Sequence, residues 1–242
     1  MKKTVQVVEN VLQANDAIAR ANRARLDAAG VLALNLMSAP GSGKTTLLER
    51  TLGRLDGGRS CAVLVGDLQT TRDADRLAGG AAAVTQINTG RGCHLTAAQV
   101  AAGLDGLALA GLAYLLIENV GNMVCPAAFD LGEHQRVVLL SVPEGDDKVA
   151  KYPTLFQAAD AILVTKVDLL GVLDFDMERV RADLTRLNTR APLLELSSRT
   201  GQGLDAWVAW LQAQRAARGG ATVECTAPGA AQPGGAAQMN SG

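Results

Sequence analysis

Ser38-Ala39-Pro40-Gly41-Ser42-Gly43-Lys44-Thr45 separates a mostly apolar run, Val31-Leu32-Ala33-Leu34-Asn35-Leu36-Met37, from a segment of helical periodicity, Thr45–Leu55. A strand that ends in a Gly-rich turn and opens a helix is the setting of a Walker A phosphate loop. The string matches that pattern except that Ser38 stands where the first Gly usually does. Gly41 and Gly43 let backbone N–H groups face phosphates, and the helix N-terminus adds partial positive charge. Lys44 is expected to reach the β- and γ-phosphates and the Thr45 hydroxyl to ligate Mg²⁺. Pro40, Ser42 and Thr46 complete the expected phosphate-binding set.

Working outward, apolar runs recur at Cys61–Val65, Tyr114–Ile117, Val137–Val142, Ala161–Val164 and Leu193–Leu196, with Ala83–Ile87 a weaker candidate. Helical segments such as Thr96–Ala108, Met177–Leu187 and Leu204–Ala217 lie between or after them. Apolar strands alternating with helices predict a doubly wound, mainly parallel α/β sheet of the P-loop NTPase class. Val11, Leu12, Ile18 and Leu26 fit an amphipathic helix leading into it. The expected organisation is a helical segment over 1–30, a P-loop GTPase domain over 31–215 and a disordered tail over 216–242. That tail is rich in Gly, Ala, Pro and Gln and cannot bury enough surface to offset chain entropy.

The 242 residues carry Lys+Arg 23 against Asp+Glu 24, a net charge of -1. This balance argues against bulk binding to nucleic acid or anionic membrane, and an aromatic content of 3% argues against base-stacking platforms. The N-terminus shows no signal-peptide core, and no run approaches the roughly 20 apolar residues that cross a bilayer. The expectation is a cytoplasmic protein whose four cysteines are thiols or metal ligands.

Two further strings read the nucleotide. Thr165-Lys166-Val167-Asp168 resembles the NKxD guanine motif, with Thr165 in place of Asn. The Asp168 carboxylate can accept from guanine N1–H and the 2-amino group, donors that adenine does not offer in that arrangement, so GTP is expected. Lys166 would lie along the base plane, and Ser197-Ser198-Arg199 resembles the SAK motif. Glu118-Asn119-Val120-Gly121 resembles the DxxG switch, with Glu118 able to hold Mg²⁺ and the Gly121 amide to sense the γ-phosphate. Asp67 and Asp73 are further candidates for Mg²⁺ or the attacking water, and spacing does not rank them. No Gln or Arg declares itself as a catalytic finger, so slow turnover assisted by a partner or second subunit is expected.

Cys93-His94 and Cys125 offer two thiolates and an imidazole, a set that suits Zn²⁺ or Ni²⁺ better than Mg²⁺. Cys125 lies four positions after Gly121, where a γ-phosphate-driven shift would reach it. Three ligands leave a tetrahedral site one short, to be completed by water or by a second copy.

Gly66-Asp67-Leu68-Gln69-Thr70, Gln86-Ile87-Asn88-Thr89-Gly90, Cys93-His94-Leu95 and Glu118-Asn119-Val120-Gly121-Asn122 are similar to strings of the hydrogenase nickel-incorporation GTPase family, HypB. Cys125-Pro126, Phe129-Asp130-Leu131-Gly132-Glu133 and Glu144-Gly145-Asp146-Asp147-Lys148 extend the resemblance, which runs from about Val11 to Leu211. It implies a SIMIBI-like G-domain, GTP-dependent homodimerisation, and a Ni²⁺ or Zn²⁺ site at Cys93, His94 and Cys125. It also implies nickel loading into [NiFe]-hydrogenase, with the nickel-insertion metallochaperone and the hydrogenase large subunit as partners. The N-terminal Cys-rich or His-rich nickel motifs of some members are missing, and with His94 and His134 the only histidines, bulk nickel storage is not expected. The alternatives are a urease nickel-loading protein, an ATP-dependent small-molecule kinase, and a metal-binding scaffold with a nucleotide switch.

Overall fold

In the computed structural model, residues 4–55, 58–67, 72–90 and 92–219 are described. The strands are β1 (Leu32–Met37), β2 (Cys61–Asp67), β3 (Ala83–Asn88), β4 (Tyr114–Glu118), β5 (Gln135–Ser141), β6 (Ala161–Thr165) and β7 (Leu193–Leu196). They form one sheet in the order β3-β2-β4-β1-β5-β6-β7, and every neighbouring pair is parallel. The expected strands are all present, and the sheet is wholly rather than mainly parallel.

The helices are α1 (Thr4–Ala29), α2 (Lys44–Leu52), α3 (Arg72–Leu77), α4 (Ala97–Asp105), α5 (Lys148–Lys151), α6 (Pro153–Gln157), α7 (Met177–Leu187) and α8 (Leu204–Ala217). They cover both faces of the sheet because the central strands are apolar on both sides. Leu32, Leu34 and Leu36 of β1 join the cluster that α2 and α8 close, whereas Ala33 packs with Leu26 of α1 and with Val100 and Leu104 of α4. On the first face Trp207 of α8 is fully buried and its indole N–H donates to Thr51 Oγ1 of α2 at 2.9 Å. Truncating such a residue to Ala costs about 3–5 kcal/mol, so this contact fixes α8 across the helix that follows the phosphate loop.

On the other face α1 is fastened by amides rather than by apolar packing alone. Asn22 Nδ2 donates to the carbonyls of Ala97 and Leu131 at 2.9 and 3.0 Å, and Asn15 bonds Ala97 N and the Asp130 carbonyl. Helix α4 starts at a full capping box between Thr96 and Gln99, so its entry point is rigid. That rigidity matters because the chain reaches Thr96 directly from Cys93 and His94. The expected tail lies, from residue 220 onward, outside the described residues. Among the described residues no helix is long and apolar enough to cross a membrane.

Consecutive parallel strands deliver their C-terminal ends to one edge. The chain leaves β1 towards β2 on one side and later crosses to β5 on the other, so the turn after β1 sits at the point where strand order reverses. Open α/β sheets bind ligands there.

Candidate functional site

The turn after β1 takes the conformation that only glycine adopts freely, with φ of 76° at Gly41 and 98° at Gly43. This turn aims the first N–H groups of α2 into a cleft of about 390 Å³ lined by Pro40, Gly41, Gly43, Lys44, Thr45 and Thr46. Gly66, Asp67, Asp73, Arg76 and the stretch from Glu118 to Gly121 line the remainder. The structure therefore brings together the residues expected at the phosphates and at Mg²⁺, Asp67 and Asp73 included, except Ser42, which lines the adjoining base-side pocket. Ser38 occupies the first position of the loop without loosening it, because its Oγ accepts from Lys44 Nζ at 2.9 Å.

Charge in this cleft is unbalanced in a way that suits a cationic ion and an anionic ligand together. Thr45 Oγ1 donates to Glu118 Oε1 at 2.8 Å, while the buried Glu118 Oε2 meets no hydrogen-bond partner. Burial pushes Glu118 up to about 7, opposed by the Thr45 hydrogen bond and the Lys44 charge. Burial also lowers Lys44 below the ordinary lysine value, with Glu118, Glu144 and Asp73 opposing. An orphaned carboxylate oxygen beside a hydroxyl, with two Asp on the adjoining wall, is an all-oxygen donor set and fits Mg²⁺.

Beyond Gly43 and Thr46 the cleft continues into a second pocket of about 360 Å³ lined by Thr165, Lys166, Asp168, Leu169, Ser197, Ser198 and Arg199. Thr165 Oγ1 donates to the Ser42 carbonyl at 2.8 Å and Lys166 Nζ to the Gly41 carbonyl at 2.7 Å, so both residues brace the phosphate loop from the base side. Lys166 has φ 59°, the only non-glycine with positive φ among the described residues. Asp168 Oδ1 accepts from Ser197 Oγ at 2.5 Å and Oδ2 from Arg199 Nε at 2.9 Å. The Ser197 bond, then Arg199, hold Asp168 below the usual carboxylate range, so it is an ionised acceptor.

The third set lies past the ends of β3 and β4. One ligand atom each from Cys93, His94 and Cys125 falls within 4.8 Å of the other two. Cys93 is exposed, Cys125 half-buried, and Cys93 Sγ lies 3.5 Å from His94 Nδ1. The His94 ring packs at a 33° tilt against Phe129 with centroids 4.0 Å apart, and burial lowers its pKa, which favours the neutral imidazole that can ligate. The hydrogen bond with the Cys125 thiol raises the Cys93 thiol. A bound cation reverses that preference, since metals take thiolates. Two soft sulfurs and an imidazole suit a borderline or soft metal.

Several contacts around the site cannot be read from the motifs, even where the residues stand in them. Glu144 Oε1 accepts from Ser42 Oγ at 2.5 Å and from Ser141 Oγ at 2.6 Å, anchoring the phosphate loop to the end of β5. Asn119 ties the loops after β3 and β4 to strand β1, as its Oδ1 accepts from Leu95 N and its Nδ2 donates to Asn35 Oδ1, both at 3.1 Å. Arg76 stands in the phosphate cleft although the sequence declares no arginine as a catalytic finger. Its one local signal is the spacing of three from Asp73 on the short helix after β2.

Residues 32–195 match the model of the CobW/HypB/UreG nucleotide-binding domain. Hydrogenase maturation factor HypB of Azotobacter chroococcum mcd 1 is 48% identical over 216 residues, covering 89% of this chain and 71% of that protein. Hydrogenase/urease maturation factor HypB of Helicobacter pylori is 45% identical over 208 residues, 84% of this chain and 85% of that protein. Among solved structures, HypB from Helicobacter pylori in complex with nickel superposes with a TM-score of 0.81 at 42% identity, covering 86% of this chain and 98% of that one. Hydrogenase maturation factor HypB from Archaeoglobus fulgidus gives 0.78 at 40% identity, with 84% and 100% covered. Matched over most of its length at the level of domain, sequence and fold, the chain belongs to the CobW/HypB/UreG family, within its HypB branch.

Proposed function

We propose that the chain is a cytoplasmic GTP-hydrolysing nickel-delivery factor of [NiFe]-hydrogenase maturation, with nucleotide state coupled to dimerisation and to metal affinity. The observation that carries this reading is the physical continuity of the two sites. A Cβ on Gly121 would meet Pro40 of the phosphate loop at 2.8 Å, and the next residue, Asn122, donates through Nδ2 to the Cys93 carbonyl at 3.3 Å. A γ-phosphate that repositions Gly121 therefore also displaces the backbone that carries a metal ligand.

The residues divide the work as follows. Asp168 selects guanine by accepting from N1–H and the 2-amino group, with Arg199 releasing Oδ2 as the base enters. Lys166 flanks the base, Ser197 orients Asp168, and Ser198 completes the wall. Backbone N–H groups from Gly41 to Thr46 and the Lys44 ammonium hold the phosphates. Thr45, Asp67, Asp73 and Glu118 would hold Mg²⁺, which when bound neutralises β- and γ-phosphate charge. Attack by water forms an O–Pγ bond and breaks the bond from Pγ to the bridging oxygen, whose electron pair stays on GDP. One water proton passes to a γ-phosphate oxygen.

Nickel is the cargo, and Zn²⁺ is the competing ion at the same three ligands. Cys93, His94 and Cys125 supply three donors, and water or a second copy across a two-fold axis supplies the fourth. The relatives are named as hydrogenase maturation factors, the Helicobacter pylori protein for urease as well, which supports the hydrogenase branch, and Asp168 supports GTP over an ATP-dependent kinase. The companion nickel-insertion metallochaperone and the hydrogenase large subunit are the proposed partners. The test is a Ni²⁺ and Zn²⁺ titration with GDP and with a non-hydrolysable GTP analogue, on the wild type and on Cys93→Ala. Binding that needs Cys93 and differs between nucleotide states supports the reading. No specific binding in either state reduces the three residues to structural roles.

A further inference from the structure

We infer that Arg76 is a catalytic arginine supplied in cis, held off the phosphates by Glu49 and swung onto the γ-phosphate when GTP is bound. The inference rests on the GTPase reading above and deepens it.

Charge is the first argument. Among the described residues, the cleft walls carry three carboxylates, Asp67, Asp73 and Glu118, and two cations, Lys44 and Arg76. Lys44 is committed at the bottom of the loop, buried and bonded to Ser38. Phosphoryl transfer spreads negative charge over the γ-phosphate oxygens and the leaving bridging oxygen, and catalysis consists mainly in meeting that charge. Among the described residues lining the cleft, Arg76 is the remaining cation able to do so.

Its tether is the second. Arg76 Nε and Nη2 donate to Glu49 Oε1 and Oε2 at 3.0 and 2.7 Å, and Nη2 also reaches Thr46 Oγ1 at 3.1 Å. Thr46 stands at the junction of phosphate cleft and base pocket, so the guanidinium already touches the loop it would serve. Nη1 faces Asp73 Oδ1 at 3.6 Å, inside the cleft. The side chains of Arg76 and Glu49 are 44% and 32% exposed, and ion pairs in that setting contribute little. A γ-phosphate, with more negative charge and three acceptor oxygens, offers the same planar fork a stronger partner, so exchange from carboxylate to phosphate is favourable.

The third is placement. Arg76 is carried by α3, which follows the C-terminal end of β2 and the Asp67 wall. A shift of this short helix therefore moves Arg76 and Asp73 together relative to the phosphates. The arginine acts during the step in which the O–Pγ bond forms and the bridging bond breaks, stabilising charge without accepting or donating a proton.

The experiment is single-turnover GTP hydrolysis and GDP affinity for wild type, Arg76→Ala, Arg76→Lys and Glu49→Gln. Arg76→Ala is expected to lower the hydrolysis rate about 10²-fold or more, with GDP affinity held within about threefold, and Lys to restore little of it. Glu49→Gln releases the tether and is expected to hydrolyse GTP at or above the wild-type rate. A wild-type rate in Arg76→Ala overturns the inference. Equal losses in Arg76→Ala and Glu49→Gln overturn it too, because they reduce the pair to a clasp between α2 and α3. Absence of GTP turnover in the wild type defeats the GTPase reading itself, and the inference with it.

Discussion

Asn119 Oδ1 accepts the backbone N–H of Leu95 at 3.1 Å, although the two residues leave different and non-adjacent strands, β4 and β3. The same oxygen accepts from Val120 N at 2.9 Å, and Asn119 Nδ2 donates to Asn35 Oδ1 on β1. One buried amide thus pins the switch stretch beginning at Glu118 to the loop carrying Cys93 and His94. Coupling between sites needs an element that both bias, and this amide connects the two loops concerned. Asn119→Ala is expected to bring the ratio of nickel affinities with GTP analogue and with GDP close to one, while Cys93 and Cys125 stay in place. Stability should fall by about 1–3 kcal/mol, because Leu95 N–H and Asn35 lose buried partners. Nickel titration in both nucleotide states checks the first effect and denaturant unfolding the second. An unchanged ratio would assign the coupling to the Asn122–Cys93 contact.

In the proposed reading, base selection rests on one carboxylate. Asp168→Asn replaces an acceptor pair by one acceptor and one donor, so the guanine 2-amino group meets an amide N–H. Xanthine carries a carbonyl there, which that N–H satisfies. The variant is expected to lose GTP affinity by about 10²-fold or more and to bind the xanthine nucleotide in preference. Competition between the two nucleotides reads the outcome directly. Retained GTP preference would remove Asp168 from the base site.

How much of this was legible in the sequence varied with local chemistry. Strand β1 and the turn after it were plain because Leu32 to Met37 are buried throughout and Gly41 and Gly43 need left-handed backbone. Strand β3 was faint because it is the sheet edge, where Thr85 and Gln86 are tolerated and only Ile87 is buried. Helices α3, α5 and α6 span 6, 4 and 5 residues, too short to show a repeating apolar face. Arg76 was hidden for that reason. The Glu144 anchor was hidden for another, since contact between Ser42 and Glu144 is 102 residues long in sequence and depends on β1 lying beside β5. The grouping of Cys93 and His94 with Cys125 came from chemistry and resemblance, because β2 separates the strands that deliver them.

His134 supplies a pH dependence far from either site. Its imidazole is 1% exposed, Nδ1 accepts from Ala33 N at 2.9 Å, and Nε2 therefore carries the proton that faces Asp27 at 3.1 Å. Burial lowers its pKa, aided by Arg218 and Arg23 and opposed by Asp27. The unfolded histidine titrates near about 6.5, so below that pH the unfolded chain binds a proton that the folded chain refuses. Stability is complete above about 6.5 and is lost as pH falls through the interval between the unfolded and folded values. His134→Asn keeps an acceptor for Ala33 N but does not titrate. It is expected to be less stable at pH 8 by about 1 kcal/mol, yet to lose less on acidification than the wild type. Denaturant midpoints measured from pH 5 to 8 compare the two slopes, and parallel curves would acquit His134.

Gly121 tests whether the switch stretch must lie against the phosphate loop. Its backbone is not left-handed, so the demand for glycine is one of space alone. An added Cβ would meet Pro40 Cα at 2.8 Å and Pro40 N at 2.9 Å, backbone atoms that a side-chain rotation cannot remove. Gly121→Ala must therefore push the stretch off the loop, at a cost of about 1–3 kcal/mol for overpacking. The displacement acts on Asn122 and hence on the Cys93 carbonyl. Both GTP-analogue binding and nucleotide-dependent nickel affinity should drop, whereas the base pocket around Asp168, on the other side of the loop, is untouched. GDP binding should consequently weaken less than binding of the GTP analogue, because GDP lacks the phosphate that Gly121 is proposed to sense. Equal weakening of both nucleotides would mean that the substitution deforms the phosphate loop as a whole and that Gly121 is a packing residue without a sensing role.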